Sequence, residues 1–494
     1  MLASRASKPA VVAVPSTRHG ETEISPNSWP VTTSPSIDVH HNDEEKKEEP
    51  VSTSATTSTA DGISSTNTTT PVIMESVPTD IHKKVLDVRN VAIPFDADSP
   101  HIVDSKADSE IVSTMYGVVA SNASRSFGYP INYDFDYSEL KDFFGVHLNN
   151  LGDPFVFSTL TTCTREIEIP LLDFFSRLWK FAPDSYWGYS TASGTEGNFQ
   201  GLLMARERFP NGILYTSREA HYSVFKASRF FKIECKILPS TANGEMDYDA
   251  LAAAIAKNPD RSVIVCANIG TTFKGAVDDI DKIAAVVNKA GIAPDDYHLH
   301  LDGALSGIIV PFVKGVSEIN FATKPLDSIA VSGYKFIGTP TQCGICMCRK
   351  EHMEALNNYV EYIGSFDNTI MGSRSGLMPM FMWYALRKKG LPGLQADVDQ
   401  CFDTCRYLQQ KLRANGFVAQ VHPFGTTVCF EKPKDDKLIK RWSLSCQDGM
   451  AHVIAMQNVT RDKVDLFMSE LIESTNKHGR MDPNDLNPCL LEEW

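Results

Sequence analysis

Between residues 186 and 331 short apolar runs alternate with segments whose apolar positions recur every three or four residues. Ile213-Leu-Tyr215, Glu234 to Leu238, Ser262 to Asn268, His298 to Leu301 and Ile329 to Val331 read as strands. The segments 198–209, 221–231, 248–257 and 280–290 between them read as helices. Strands alternating with helices imply an α/β fold with a mostly parallel sheet covered on both faces. Upstream, Ile169, Leu172, Phe175, Leu178 and Trp179 fall at helical spacing within 166–181 and predict an amphipathic helix. Downstream, 350–395 reads as helical, Gly390-Leu-Pro-Gly393 breaks the chain, and 396–415 is a long amphipathic helix. Thr426 to Phe430 and Ala451 to Ala455 read as strands, and 461–475 as a closing helix. These form a smaller C-terminal α+β domain at 380–475, after a large domain at 151–379 and before a tail at 476–494.

The first part of the chain has no such rhythm. Residues 1–84 are rich in Ser, Thr, Pro and acids, with low-complexity stretches at 40–50 and 53–59. Such a segment buries too little apolar surface to offset its ordering entropy, so a disordered extension is expected. Residues 85–150 read as a mixed polar connector with turn-rich loops. The first 20 residues carry basic residues and no acids, so an organelle-targeting segment stands as the alternative to a plain tail. No apolar run is long enough to span a membrane. The net charge of −14 gives no default nucleic-acid surface. The 11 cysteines are odd in number and scattered through apolar runs, as expected of reduced thiols in a cytoplasmic protein. Cys343, Cys346 and Cys348 lack a second ligand pair at zinc spacing and read as core residues, so no metal is expected.

Candidate chemistry sits at the strand ends. Asp302 closes the run His298 to Leu301, and Lys335 lies just past Ile329 to Val331, before Gly338-Thr-Pro340. An acid and a lysine at the ends of separate strands suit pyridoxal 5'-phosphate (PLP). Its aldehyde condenses with a lysine, and its ring nitrogen needs an acidic partner. Ser193-Gly-Thr-Glu-Gly-Asn198 opens a helix, where free N–H groups and small residues make a phosphate cup or a plain helix cap. His221 opens the next helix and could lie flat on a conjugated ring. Thr271 and Gly270 follow a buried strand, on the side where open α/β sheets bind ligands. Asp278 and Asp279 read as a helix cap. Ala304 leaves space beside Asp302.

These motifs, with Phe127-Gly-Tyr-Pro-Ile-Asn132, Asn149-Asn-Leu-Gly-Asp-Pro154, His221-Tyr-Ser223, Asn268-Ile-Gly-Thr-Thr272 and Met371-Gly-Ser-Arg374, resemble the group II PLP-dependent amino acid decarboxylases over about 120–472. The nearest branch is the histidine-decarboxylase-like one that includes plant serine decarboxylases. The resemblance implies PLP fold type I (aspartate-aminotransferase-like) and a homodimer with its active sites at the interface. Lys335 would form the Schiff base, Asp302 would hold the ring nitrogen, and His221 would stack on the ring. Gly194, Thr195 and Ser332 would hold the phosphate, with Ala304 and Thr271 beside the cofactor. Tyr362, on a loop supplied by the neighbouring subunit, would protonate Cα. Ser373 and Arg374 would lie near the cofactor.

The chain departs from the pattern in two places. Tyr334 stands where the family usually has a histidine before the lysine. Leu160 and Cys163 stand where a tyrosine and a histidine are expected. Tyr129 offers a phenol for a polar substrate side chain. The resemblance puts serine first as substrate, giving ethanolamine. Histidine is second, and alanine or methionine third. A PLP enzyme of another reaction type and a catalytically silent PLP-fold binding protein are the remaining alternatives.

Overall fold

The computed structural model describes residues 105–482 and 485–492, with isolated positions between 86 and 93. The expected disordered extension, 1–84, lies outside the described residues. The expected connector contains a helix, α1 (Ser105–Ala123). Its apolar residues Val112, Met115, Tyr116 and Val119 recur at helical spacing but are all exposed. A helix that buries so little of its apolar face is easily read as linker.

The remaining helices are α2 (Arg165–Leu178), α3 (Gly194–Arg208), α4 (Tyr222–Phe231), α5 (Tyr248–Ala256), α6 (Ile280–Lys289), α7 (Leu377–Ala414), α8 (Asp436–Arg441) and α9 (Arg461–His478). The large sheet contains β1 (Tyr186–Thr191), β2 (Ile213–Ser217), β3 (Glu234–Leu238), β4 (Val263–Asn268), β5 (Tyr297–Asp302), β6 (Ser328–Ser332) and β7 (Gly344–Arg349). Their order is β1-β7-β6-β5-β4-β2-β3. All neighbours pair in parallel except those of β7. No helix separates β6 from β7, so the chain can only return antiparallel. The loop that makes this return carries Lys335.

The sheet is covered on both faces, as its uninterrupted apolar strands require. Along β4, Val263, Val265 and Ala267 join the core beneath α2, α6 and α7, whereas Ile264 and Cys266 face α3 and α4. The same alternation on β5 sends Tyr297, Leu299 and Leu301 into the first core. It leaves His298, His300 and Asp302 together on the α3 side. There α3 lies unusually close. A Cβ at Gly197 would come within 2.7 Å of Ala330 Cβ, and one at Gly201 within 2.2 Å of His300 Nδ1.

A hairpin of β8 (Tyr359–Val360) and β9 (Ser365–Phe366) precedes α7. Helix α7 has the expected break at Gly390, whose φ of 59° is left-handed. The helix spans both cores. Leu394, Val398 and Cys401 belong to the large one, and Cys405, Leu408 and Leu412 to the small one. The hand-over therefore falls within α7, beyond the expected 379/380 boundary. The small antiparallel sheet runs β10 (Ala419–Val421), β11 (Thr427–Glu431), β13 (Met450–Ile454), β12 (Ser445–Gln447). The expected C-terminal tail is partly docked on it, with Leu490 buried and its carbonyl accepting from Gln420 Nε2 at 3.2 Å. Phe127 enters the small core from upstream, its ring centroid 4.6 Å from that of Trp442. This anchor directs residues 128–132 toward the Lys335 loop, where the Asn132 N–H donates to the Lys335 carbonyl at 3.1 Å.

Candidate active site

A cleft opens at the C-terminal ends of β2, β4, β5 and β6. Its walls include Tyr129, Gly194, Thr195, Asn198, His221, Thr271, Asp302, Ala304, Ser332, Tyr334 and Lys335. The strand register explains the convergence. Asp302 pairs with Asn268 at the end of β4 and with Ala330 on β6, five residues before Lys335.

Asp302 is 5% exposed. Its Oδ1 accepts from the Ala304 N–H at 3.2 Å and its Oδ2 from Asn198 Nδ2 at 2.9 Å. Burial lowers the proton affinity of the Lys335 ammonium, with Asp302 acting in the opposite sense. That shift favours the neutral amine, the form that condenses with an aldehyde. His221 is the N-cap of α4. Its Nδ1 lies 2.7 Å from Ser223 Oγ and accepts from the Ser223 N–H at 3.3 Å. Burial lowers its imidazole below the ordinary histidine value, Asp302 opposes that, and Lys335 and Lys226 add to it.

At the start of α3 the cap is Ser193, whose Oγ accepts from the Glu196 N–H at 3.4 Å. Thr195 is left to face the cleft. A Cβ at Gly194 would come within 2.5 Å of Ser332 Oγ and 3.0 Å of Ala304 Cβ. A glycine here lets the helix start and Ser332 meet around one small space, and α3's first N–H groups have no intrahelical partners. Burial raises the Tyr334 phenol, while a hydrogen bond with Ser332 opposes that. The tyrosine in the usual histidine's place therefore stands beside Ser332 on the cleft wall. The donor set fits PLP. It offers hydroxyls and a helix N-terminus for the phosphate, a buried acid for the ring nitrogen and an amine for the aldehyde.

Other expected residues are placed elsewhere. Tyr362 is 84% exposed and off the cleft wall of its own chain. Ser373 accepts from Asn149 Nδ2 at 3.2 Å. Arg374 is buried in an ion pair with Glu168, and its Nη2 donates to the Gly152 carbonyl at 3.0 Å. Leu160 and Cys163 are also off this wall. Thr271 lines the cleft, but its hydroxyl oxygen accepts from the Ala276 N–H at 3.0 Å and so serves the turn. Of the two expected capping acids only Asp279 caps, at the start of α6. Asp278 is buried and accepts from the Asn268 and Met246 N–H groups at 2.7 Å each. Burial pushes its carboxyl up to about 6.

Asn198 has a larger part than its motif suggested. Its amide joins Asp302, Ser223 and, at 3.0 Å through Oδ1, His300 Nε2. Its place after the glycines was visible in the sequence, but its partners lie on two distant segments, Ser223 at the start of α4 and His300 and Asp302 on β5.

Fold and site together define an α/β enzyme that uses PLP. The pyridoxal-dependent decarboxylase conserved domain matches residues 165–432, and the chain belongs to that family. It is 41% identical over 402 residues to serine decarboxylase 1 of Oryza sativa subsp. japonica, covering 81% of this chain and 82% of the relative. It is equally 41% identical over 387 residues to the histidine decarboxylase of Solanum lycopersicum, covering 78% and 93%. Among solved structures, L-methionine decarboxylase from Streptomyces sp.590 superposes with a TM-score of 0.72 at 24% identity, covering 80% of this chain and all of that one. That likeness confirms the fold type I architecture. Among the described residues no helix is long and apolar enough to cross a membrane.

Proposed function

We propose that this PLP-dependent amino acid decarboxylase converts serine to ethanolamine. The observation that carries the chemistry is the meeting of Lys335 and Asp302 in one cleft, at the ends of adjacent parallel strands. The substrate rests on similarity to the plant serine decarboxylases, 43% identical for the second rice relative. When bound, PLP supplies an aldehyde and an electron-accepting ring that lets carbon dioxide leave Cα of an amino acid. The chain's own groups do the rest. Lys335 holds the cofactor through its amine. Asp302 keeps a proton on the ring nitrogen. His221 covers one face of the ring. Thr195, Ser332, Tyr334 and the start of α3 hold the phosphate. Tyr129 presents its phenol to the substrate hydroxyl.

The protein acts as a homodimer, in which Tyr362 of one subunit delivers a proton to Cα in the other. The exposure of Tyr362 supports this, as do the uncovered apolar residues of α1. All 11 cysteines are free, which supports a reducing compartment such as the cytoplasm.

The test is incubation of purified protein and PLP with the twenty amino acids, with amines detected by mass spectrometry. Ethanolamine is expected. Histamine alone would favour the second reading, supported by the tomato relative. A keto acid without carbon dioxide would reject decarboxylation, and absence of a bound-PLP spectrum would support a silent binding protein.

A further inference from the structure

Beneath the cleft, on the α3 face of the sheet, lies a polar cluster that the decarboxylase chemistry does not use. His298, Asp327 and His352 bring ligand atoms within 4.8 Å of one another, as a divalent cation would require. Arg208 Nη1 already sits among them. It is 3.2 Å from His298 Nδ1, 3.0 Å from Asp327 Oδ1 and 3.1 Å from His352 Nε2. The positive group is supplied by the chain itself.

From that guanidinium a continuous line of hydrogen bonds runs to Asp302. Arg208 can only donate, so His298 Nδ1 accepts. His298 Nε2–H then donates to Ser328 Oγ at 3.0 Å, and the Ser328 hydroxyl donates to His300 Nδ1 at 2.8 Å. His300 Nε2–H donates to Asn198 Oδ1 at 3.0 Å, and Asn198 Nδ2 donates to Asp302 Oδ2 at 2.9 Å. Working back from the carboxylate, which can only accept, gives the same proton positions. Every link therefore points toward Asp302. His298, Ser328 and His300 are fully buried, and Asn198 is 1% exposed. Burial pushes His298 down to about 3 and His300 down to about 4. Both are neutral near pH 7, as this arrangement of protons needs.

We infer that His298, Ser328, His300 and Asn198 form a positioning relay that carries the polarisation of Arg208 to Asp302 and so holds the PLP ring nitrogen protonated. The inference rests on Asp302 being the acid that faces that nitrogen. Aligned hydrogen bonds polarise one another in a low-dielectric interior. His298, Ser328 and His300 lie off the cleft wall, and Asn198, which lines it, is the last link to Asp302.

The experiment uses holoenzyme reconstituted with PLP carrying nitrogen-15 in the ring, whose NMR shift reports protonation of that nitrogen. Asp302→Asn supplies the reference for a lost acid. Ser328→Ala, which breaks the relay three hydrogen bonds from Asp302, should move the signal toward that reference. The expected change is about tenfold in the protonation equilibrium, one pKa unit. Ser328→Thr, which keeps the hydroxyl, should restore the shift. A Ser328→Ala protein that melts earlier but keeps the wild-type nitrogen signal would overturn the relay and leave the Asp302 assignment intact. If Asp302→Asn itself leaves the signal unchanged, that assignment falls and the relay with it. Should Ser328→Ala not fold, His298→Phe removes both ring nitrogens while keeping a planar ring and is judged by the same criterion.

Discussion

Replacing Glu168 by Gln should be among the most destabilising single changes in the protein that leave side-chain volume intact. Glu168 is fully buried and all its partners are donors. Oε1 accepts from Ser190 N–H at 2.8 Å, from Ser190 Oγ at 2.6 Å and from Arg374 Nη1. Oε2 accepts from Asn150 Nδ2 at 2.7 Å. A glutamine keeping its carbonyl toward Ser190 sets its NH2 against the Asn150 NH2. Asn150 cannot turn over to relieve this, because its Oδ1 accepts from the Thr164 N–H at 2.8 Å. Arg374 meanwhile keeps a buried charge without its counter-ion. Breaking a buried pair on one side costs about 3–5 kcal/mol, two to three powers of ten or more in the folding equilibrium. Urea denaturation at pH 7 measures the loss. Burial alone would raise the Glu168 carboxyl, but Arg374 and Ser190 outweigh it and hold it below the ordinary value. A depressed carboxyl contributes stability above its unfolded value, and that contribution fades as pH falls toward the folded one. The difference between wild type and Glu168→Gln should therefore shrink in acid. A loss under 1 kcal/mol at pH 7, or one that is constant with pH, would refute this account.

Lys335→Ala should abolish amine production and the near-visible absorbance of the lysine-linked cofactor; persistence of that absorbance would reject the lysine assignment. Tyr362→Phe should retain PLP but lose most amine product in a timed assay, and a full rate would remove Tyr362 from the reaction. Tyr129→Phe should lower the serine-over-alanine ratio of kcat/KM about tenfold, the worth of one hydrogen bond to a substrate hydroxyl; an unchanged ratio would show that Tyr129 does not read the substrate. With His300 pushed down to about 4, the unfolded chain binds a proton there that the folded one refuses. Folding stability should then fall as pH drops below the unfolded histidine value, by about 2 kcal/mol at pH 5 from this residue alone. Urea midpoints against pH should show a shallower acid slope for His300→Gln.

The sheet was readable because its strands are buried on both faces and so appear as continuous apolar runs, as in Val263 to Asn268. Helix caps and the Gly390 break were readable for equally local reasons. What escaped depended on distant partners. Helix α1 does not stand out in the sequence because its apolar face meets little of its own chain. Asp278 looked like a cap beside Asp279, yet its carboxylate serves Met246 and Asn268 on other segments. Arg374 was expected at the cofactor. Its partner Glu168 lies on α2, in a stretch whose helical spacing drew attention to its apolar residues instead.

The same distinction explains how the cleft's chemistry divides. Lys335, Asp302 and His221 stand at strand ends or helix starts, where sequence pattern marks a position directly. The groups that set their behaviour stand one layer below, on strand interiors. On β5 the alternation puts His298, His300 and Asp302 on one face, and Ser328 pairs with His300 across β6. An apolar helix would leave these polar groups without partners, at a cost of about 1–3 kcal/mol each. Helix α3 instead brings Asn198 to them, and Gly201 admits the His300 ring. A substitution such as Gly201→Ala would therefore disturb the surroundings of Asp302 from a position off the cleft wall. Placing the lysine and aspartate in a homologous sheet is not enough to reproduce this site; the glycine-bearing helix and the polar face beneath it must come with them.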